Sequence, residues 1–423
     1  MRLRLVVAAT LSLSACGDDS QAGTGDDTSE GSSSTSSGAE TSGPDLGSSS
    51  SSDGTTGVAD TDATGSSTGS EGSSSTGEPP GEVTPWEWAL PSAFPMPLVP
   101  EDNPMTVEGV ELGRHLFYDT RLSVDGSFAC STCHEPALAF TDGRAQAVGV
   151  TGQVHTRGSM SLANVAYAST LAWANPELLD LETHALVPMF GTEPVEMGLV
   201  DEADVIARIE DVPRYQELFA AAYPGDPEPM TLEHVTAAIA SFQRSLISGT
   251  SPFDRWFYGG DEDAVSDAVK RGWELFNVPG ECTYCHFGHN FSNASYFEGM
   301  PTRPYEFQNT ALYNLDGQGA YPEGNEGLFS FTGEPADMGR FKAPTLRNIA
   351  VTAPYMHDGS VETLEDMLDH YSTGGREVSP LADAQMRVFE LSESETADFV
   401  AFLESLTDEA FLTDPAHANP WDE

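Results

Sequence analysis

Basic residues are scarce in this chain. Its 423 residues hold 18 Lys and Arg against 67 Asp and Glu, a formal net charge of −49, which argues against nucleic acid and against anionic membrane surfaces as partners. Long apolar runs are also missing. None reaches the roughly 18 residues of a membrane-spanning helix, so the chain is not polytopic. Alternating strand patterns are nearly absent, which leaves helices and loops as the material of the fold. Between Gly17 and Glu82 there is no Lys, Arg, aromatic residue or Cys at all, and Ser, Gly, Thr, Asp and Glu make up almost everything. Such a segment cannot bury enough apolar surface to offset its ordering entropy. It holds 13 of the acidic residues and the first sixteen residues hold two of the basic ones, which leaves −38 on the remainder. The folded part is itself acidic, and a basic protein or a cation suits it as a partner.

What is present begins with an address. Residues 1–16 carry Arg2 and Arg4, an apolar run from Leu5 and then small residues leading to Cys16, the pattern of an export signal. The end Leu13-Ser14-Ala15-Cys16 resembles the bacterial lipobox, which makes Cys16 the expected lipidation site. The chain is then a lipid-anchored protein of the bacterial cell envelope, periplasmic or outer-membrane associated, touching membrane only through that anchor. Residues 17–82 serve as a tether, and a Gly/Ser-rich coil of this length spans roughly 45 Å.

Beyond the tether, the Pro- and aromatic-rich stretch from Pro85 to Pro104 predicts an ordered strap over the core. Helical periodicity follows. Val107, Val110, Leu112, His115 and Leu116 share a face, and the stretch from Asp201 to Tyr223 predicts two short helices parted at Pro213. The clearest pattern runs from Thr231, a capping residue, to Ile247, with Gly249 as its terminator. Ala264–Phe276, Leu364–Tyr371 and Ser394–Leu406 complete the set. A weak internal repeat pairs Glu111-Leu-Gly-Arg-His-Leu-Phe117 with Lys270-Arg-Gly-Trp-Glu-Leu-Phe276.

Each repeat leads into a cysteine motif: Cys130-Ser-Thr-Cys133-His134 and Cys282-Thr-Tyr-Cys285-His286. C-x-x-C-H reads as covalent c-type haem attachment, because two thioethers hold the porphyrin edge while the adjacent His ligates iron. Four-Cys zinc sites and redox dithiols are the alternatives, and neither requires a His in this place. The expected cofactors are two covalently bound c-type haems. The expected fold is mainly α: two cytochrome c-like domains, residues 83–262 and 263–423, each around one haem, with long loops such as Phe287–Gly339 wrapping the second.

The order of motifs is more specific still. Leu112-Gly-Arg-His-Leu-Phe-Tyr-Asp, C-x-x-C-H, Phe140-Thr-Asp-Gly-Arg, Ser161-Leu-Ala-Asn-Val-Ala-Tyr, Pro194-Val-Glu-Met, the second C-x-x-C-H, Pro344-Thr-Leu-Arg-Asn and Thr352-Ala-Pro-Tyr-Met-His-Asp-Gly together resemble the bacterial di-haem cytochrome c peroxidase and MauG superfamily over about Thr84 to Thr407. Within it, Ser161–Ala168, Trp173-Ala-Asn-Pro and Leu186-Val-Pro-Met-Phe-Gly are most similar to the MbnH branch, di-haem enzymes associated with methanobactin and copper.

The resemblance implies roles residue by residue. His134 is the proximal ligand of the haem that meets peroxide, and Glu196 is the distal acid/base, which moves a proton between peroxide oxygens. Pro188 and His184 occupy the neighbouring distal positions, His184 where the family often has Gln. The stretch from Pro188 to Glu196 is two residues longer than the common form. Trp173 matches the Trp between the haems, as an electron relay or as a plain core aromatic. His286 binds the second iron. Its sixth ligand falls on Tyr371, where electron-accepting peroxidases carry Met and MauG carries Tyr; His370 and Met356 are the alternatives. His155 lies in a stretch that caps the resting haem in other peroxidases and matches no ligand here. A family calcium site implies Thr352 and Pro354, but its Asn position is Gly158. His115, His234, His289 and His417 read as structural.

Three functions follow in order of preference. The first is a peroxide-dependent oxidase that forms a high-valent di-haem state and oxidises an exported protein partner, on the MbnH resemblance a Trp of a copper-binding protein. The second is a cytochrome c peroxidase fed by a small cytochrome or cupredoxin, and the third a non-enzymatic electron-transfer cytochrome.

Overall fold

The computed structural model describes residues 81–422. Eleven helices appear among them: α1 (Val107–Phe117), α2 (Leu181–Phe190), α3 (Glu202–Ile209), α4 (Pro213–Ala222), α5 (Leu232–Ser245), α6 (Pro252–Phe257), α7 (Asp267–Asn277), α8 (Phe329–Thr332), α9 (Leu364–Ser372), α10 (Glu393–Glu404) and α11 (Glu409–Leu412). Extended pairing among the described residues is limited to isolated bridges. The fold is mainly helical, with two hydrophobic cores, and no helix among these residues is long and apolar enough to cross a membrane.

The sequence repeat is a structural repeat. α1 starts where Thr106 Oγ1 accepts the Gly109 N–H at 3.0 Å, and α7 where Ser266 Oγ accepts the Val269 N–H at 3.4 Å, each satisfying one free donor of a first turn. The glycine shared by the two motifs explains how each helix docks. A Cβ on Gly113 would stand 1.9 Å from the Ala238 carbonyl oxygen of α5, and one on Gly272 would stand 2.0 Å from the Asp398 carbonyl oxygen of α10. Backbones approach this closely only where a side chain is missing. The docked pairs bury Leu112, Leu116 and Phe117 with Ile239 and Phe242 in one core, and Phe276 with Phe399 and Phe402 in the other. A second repeat matches Ser161-Leu-Ala-Asn164 with Thr345-Leu-Arg-Asn348. Both Asn residues are left-handed, φ 59° and 60°, and each starts a 3-10 turn. Asn is one of the few side chains suited to that conformation.

Several expectations change. The long helix begins at Leu232 with the Thr231 cap, but it ends at Ser245, short of Gly249. Gly249 lies instead under the strap, where a Cβ would meet Pro91 at 2.5 Å and Phe94 at 2.7 Å. The strap is irregular chain, as its composition implied, and it buries Phe94 against Tyr167 and His289. The boundary at residues 262 and 263 does not divide the cores. Phe253, before it, belongs to the second core, where Arg347 makes a buried bidentate pair with Asp254 at 2.7 and 2.9 Å. Phe411 and Trp421, far beyond it, belong to the first. Asp408 begins the return: one carboxylate oxygen accepts the Gly249 and Thr250 N–H groups at 2.9 and 2.8 Å, while its own N–H donates to Asn348. Tyr118 then bonds the His417 carbonyl, and the Trp421 indole N–H donates to the His115 carbonyl at 3.0 Å.

Candidate active site: two haem cavities

Each C-x-x-C pair forms a one-turn 3-10 helix, Cys130–Thr132 and Cys282–Tyr284, and the four thiols are free of disulfides. Each following histidine is pinned through Nδ1. His134 Nδ1 lies 2.7 Å from the Phe140 carbonyl oxygen, and His286 Nδ1 lies 2.9 Å from that of Phe291. A carbonyl only accepts, so Nδ1 carries the proton and the Nε2 lone pair is left for a metal. Phe140 and Phe291 reach these positions with φ 62° and 47°, a region that bulky residues enter at a cost. Two free thiols, a histidine with an oriented Nε2 and an adjoining apolar-lined cavity, present twice, are the donor set of a covalently held haem.

Cys130, Cys133 and His134 share their cavity with His155, His184, Pro188 and Glu196. α2 supplies His184 and Pro188. Asp180 caps this helix by accepting the Thr183 N–H at 2.7 Å. The extra residues before Glu196 are folded back by hydrogen bonds from Met197 N–H to the Pro188 carbonyl and from Leu199 N–H to that of Met189, both 2.9 Å. On the other side the Gln153 side chain accepts the Val195 N–H at 2.6 Å. A Cβ on Gly149 would stand 1.9 Å from the Val195 carbonyl oxygen, so this glycine permits the close approach that presents Glu196. His155 Nε2 is 3.9 Å from Glu196 Oε1. Burial holds the Glu196 carboxyl above its ordinary range. Burial also drives His184 down to about 4, helped by the nearby His134 and Lys342, so its imidazole is neutral near pH 7.

Around the second motif, Cys282, Cys285 and His286 share a cavity with Met356 and Tyr371. Burial raises the Tyr371 phenol well above its ordinary value, so a phenolate here requires a bound cation. His370 is turned away, its Nε2 2.9 Å from the Thr310 carbonyl oxygen. Trp173 lines both haem cavities, and its indole N–H donates to the Gly158 carbonyl at 2.9 Å. Lys342 escaped the sequence reading. It donates its backbone N–H to the Trp173 carbonyl at 2.8 Å, is buried with its ammonium on the Thr170 carbonyl at 2.7 Å, and is pushed down to about 7 by burial. Nothing in its sequence position marks it, since its burial is created by contacts across some 170 residues of chain.

Thr352, Pro354 and Gly158 line one further cavity, together with Asp142. Gly158 has no side-chain oxygen, but one Asp142 carboxylate oxygen is buried without a hydrogen-bond partner. Four further histidines are structural: His115 Nδ1 is 2.9 Å from the Glu111 carbonyl, His234 stacks on Tyr223, His289 packs between Phe94 and Tyr167, and His417 Nδ1 is 2.9 Å from the Phe411 carbonyl. His357, stacked on Phe341 at 3.6 Å, lines the second haem cavity with its Nε2 buried and unpartnered.

Comparison with known proteins agrees with this geometry. A family model described as di-haem cytochrome c peroxidase matches residues 107–263, and one described as RoxA-like, cytochrome c-like matches residues 340–373. The methylamine utilization protein MauG of Methylorubrum extorquens is 39% identical over 73% of this chain and 80% of its own length. The chain belongs to the di-haem cytochrome c peroxidase and MauG family. Cytochrome-c peroxidase IdrP1 of Denitromonas iodatirespirans is 35% identical over 78% of this chain and 89% of its own. The crystal structure of a MauG-like protein associated with microbial copper homeostasis aligns with TM-score 0.77 at 43% identity, covering 79% of this chain and 99% of that one. As a member of the family, the protein is a peroxide-dependent di-haem oxidoreductase with two c-type haems and two cytochrome c-like domains, and it works with a protein partner.

Proposed function

We propose that the protein is a MauG-like oxidase rather than a peroxidase fed by a small electron donor. The observation that carries this reading is Tyr371, a phenol in the cavity of Cys282, Cys285 and His286. The haems, once bound, supply the redox chemistry by taking two oxidising equivalents from peroxide. A phenolate ligand from Tyr371 donates charge and favours the oxidised forms of the second iron, where a Met thioether favours reduction.

In the first cavity, Glu196 takes a proton from one peroxide oxygen and delivers it to the other, which then leaves as water. Raised by burial, this carboxyl suits both halves of the transfer better than an ordinary exposed one. His155, at 3.9 Å, is the proton partner of Glu196. His184 and Pro188 wall the peroxide site, the neutral imidazole offering one donor and one acceptor. Trp173, bordering both cavities, relays electrons between them. Oxidising equivalents therefore need no substrate inside either cavity, and the reading extends to an exported, copper-binding protein partner oxidised at a Trp. Likeness to the copper-associated MauG-like protein supports that extension. Cys16, outside the described residues, is the proposed lipid attachment point in the cell envelope. Calcium is proposed on the Thr352 and Pro354 carbonyls, with Asp142 supplying the oxygen that Gly158 lacks.

The test adds peroxide to fully ferric protein and follows its optical spectrum. Rapid formation of a new oxidised species without prior reduction is expected; a requirement for half-reduced protein identifies a peroxidase of the electron-fed kind. Tyr371→Phe is expected to abolish the low-spin signal of the second haem alone, and an unchanged signal removes Tyr371 as ligand.

A further inference from the structure

The second haem cavity has an aromatic connection to the surface that the mechanism above does not use. Phe276 lines that cavity. Trp273 stacks on Phe276 at 5.7 Å between centroids and 20° between planes. From Trp273 the packing continues to Phe253 and Phe257, each at 5.3 Å, and from these to Trp256 at 5.7 and 5.9 Å. Trp256 is part-exposed, and beside it Phe257 is 46% exposed. Two readily oxidised indoles thus belong to one run of rings, Trp256 at its outer end and Trp273 next to Phe276 at its inner end.

The outer indole has a proton acceptor. Trp256 Nε1 donates to Glu262 Oε2 at 3.3 Å, and the same oxygen is held 2.7 Å from Lys270 Nζ. Other indole N–H hydrogen bonds among the described residues, those of Trp173 and Trp421, go to backbone carbonyls, which cannot take up a proton. The carboxylate is exposed and paired with Lys270, whose ammonium also stands 5.8 Å from the Trp256 ring centroid. An indole that loses an electron makes use of such a carboxylate, because its radical cation is far more acidic than the neutral ring.

We infer that Trp256 is the exit site at which oxidising equivalents held at the haems pass to the protein partner, with Trp273 as the inner relay and Glu262 as the proton acceptor. One electron leaves the Trp256 indole and travels inward through Trp273 to the second haem site. The Nε1 proton moves to Glu262, leaving a neutral indolyl radical. An electron from an oxidisable side chain of the partner, together with the proton returned from Glu262, restores Trp256. Two such rounds discharge the two equivalents of one peroxide. Asp261 and Asp263 flank Glu262 in sequence and all three are exposed, so a partner with a basic contact surface suits this segment.

This inference rests on the oxidase reading, and one experiment separates the two. Ferric, fully matured protein is treated with peroxide without partner; the optical spectrum is followed, and tryptophan oxidation is mapped by peptide mass spectrometry. The oxidised species is expected to form at the normal rate in wild type, Trp256→Phe and Glu262→Gln. Oxidised tryptophan should concentrate at Trp256 in the wild type. Decay of the species should slow several-fold in Trp256→Phe, and in Glu262→Gln it should slow and lose its solvent deuterium isotope effect. Glu262 is 75% exposed, and an unchanged thermal unfolding midpoint for Glu262→Gln separates its effect from misfolding. Normal formation with unchanged decay in both variants, or oxidation centred on Trp421 or Trp86, overturns the exit site and leaves the oxidase reading standing. Failure of the species to form in the wild type overturns both.

Discussion

The two haem-binding halves share their supports and differ in the side chains that line their cavities. Both have a glycine crossing at 1.9 or 2.0 Å, a histidine tied by Nδ1 to the carbonyl of a positive-φ phenylalanine, and a left-handed asparagine beside a 3-10 turn. In the rest of the cavity they part. The first half contributes His155 from the loop before α2, His184 from α2 and Glu196 from the loop after it; the second contributes Tyr371, Met356 and His357 in a largely apolar lining. The mounting is alike in both halves, where backbone sterics leave little freedom, and the two differ where only side chains need to change. On the function proposed above, one half handles protons and the other electrons.

The sharpest way to break this comparison is Glu196→Gln. It is expected to slow reaction with peroxide by roughly 10²- to 10⁴-fold without altering the low-spin spectrum of the second haem, as stopped-flow spectroscopy will show. The same measurement against pH tests the sign. A carboxyl raised by burial becomes a proton acceptor only as pH climbs through its elevated midpoint, so the wild-type rate should rise with pH above the ordinary carboxylate range and the variant should lose that limb. His184, held near 4 and neutral throughout, should contribute no titration there. A spectral change in the second haem on this substitution would show that the halves do not divide the labour as described.

Mounting is tested next by Gly113→Ala and Gly272→Ala. Each drives a methyl into a backbone carbonyl of the partner helix and should cost about 3 kcal/mol, read as a lowered midpoint in thermal unfolding. Equal losses support an equivalent crossing in both halves; a variant that melts like wild type shows that its helix pair can separate freely. A smaller effect should follow from the caps. Thr106→Ala removes a 3.0 Å hydrogen bond and Ser266→Ala one of 3.4 Å, so the first should cost about 1 kcal/mol and the second less, by chemical denaturation.

The repeated parts of the fold were legible because each rests on local pattern. The C-x-x-C-H motifs, the capped apolar face of α5 and the shared glycine motif all lie within a few turns of chain. α2 was missed because its residues, LETHALVPMF, are apolar on nearly every side and include Pro188 in the last turn, so neither periodicity nor a clean stop marks it. Of the site, the haem-attaching residues could be read directly, and family resemblance supplied Glu196, Trp173 and Tyr371. Lys342 and the approach of His155 to Glu196 are products of tertiary folding, which no window of sequence contains. The exchange of residues between the two cores across positions 262 and 263 has the same origin. Asp408, Phe411 and Trp421 look like an ordinary terminal stretch until the first core is seen to need them.

That return of the chain makes the first half dependent on residues far away in sequence. Tyr118 meets its partner, the His417 carbonyl, across a sequence separation of 299 residues. Phe140, whose carbonyl orients His134, rests its ring on Phe411 and His417. The ligand of the first cavity is therefore braced from beneath by the same closing segment that seals the core.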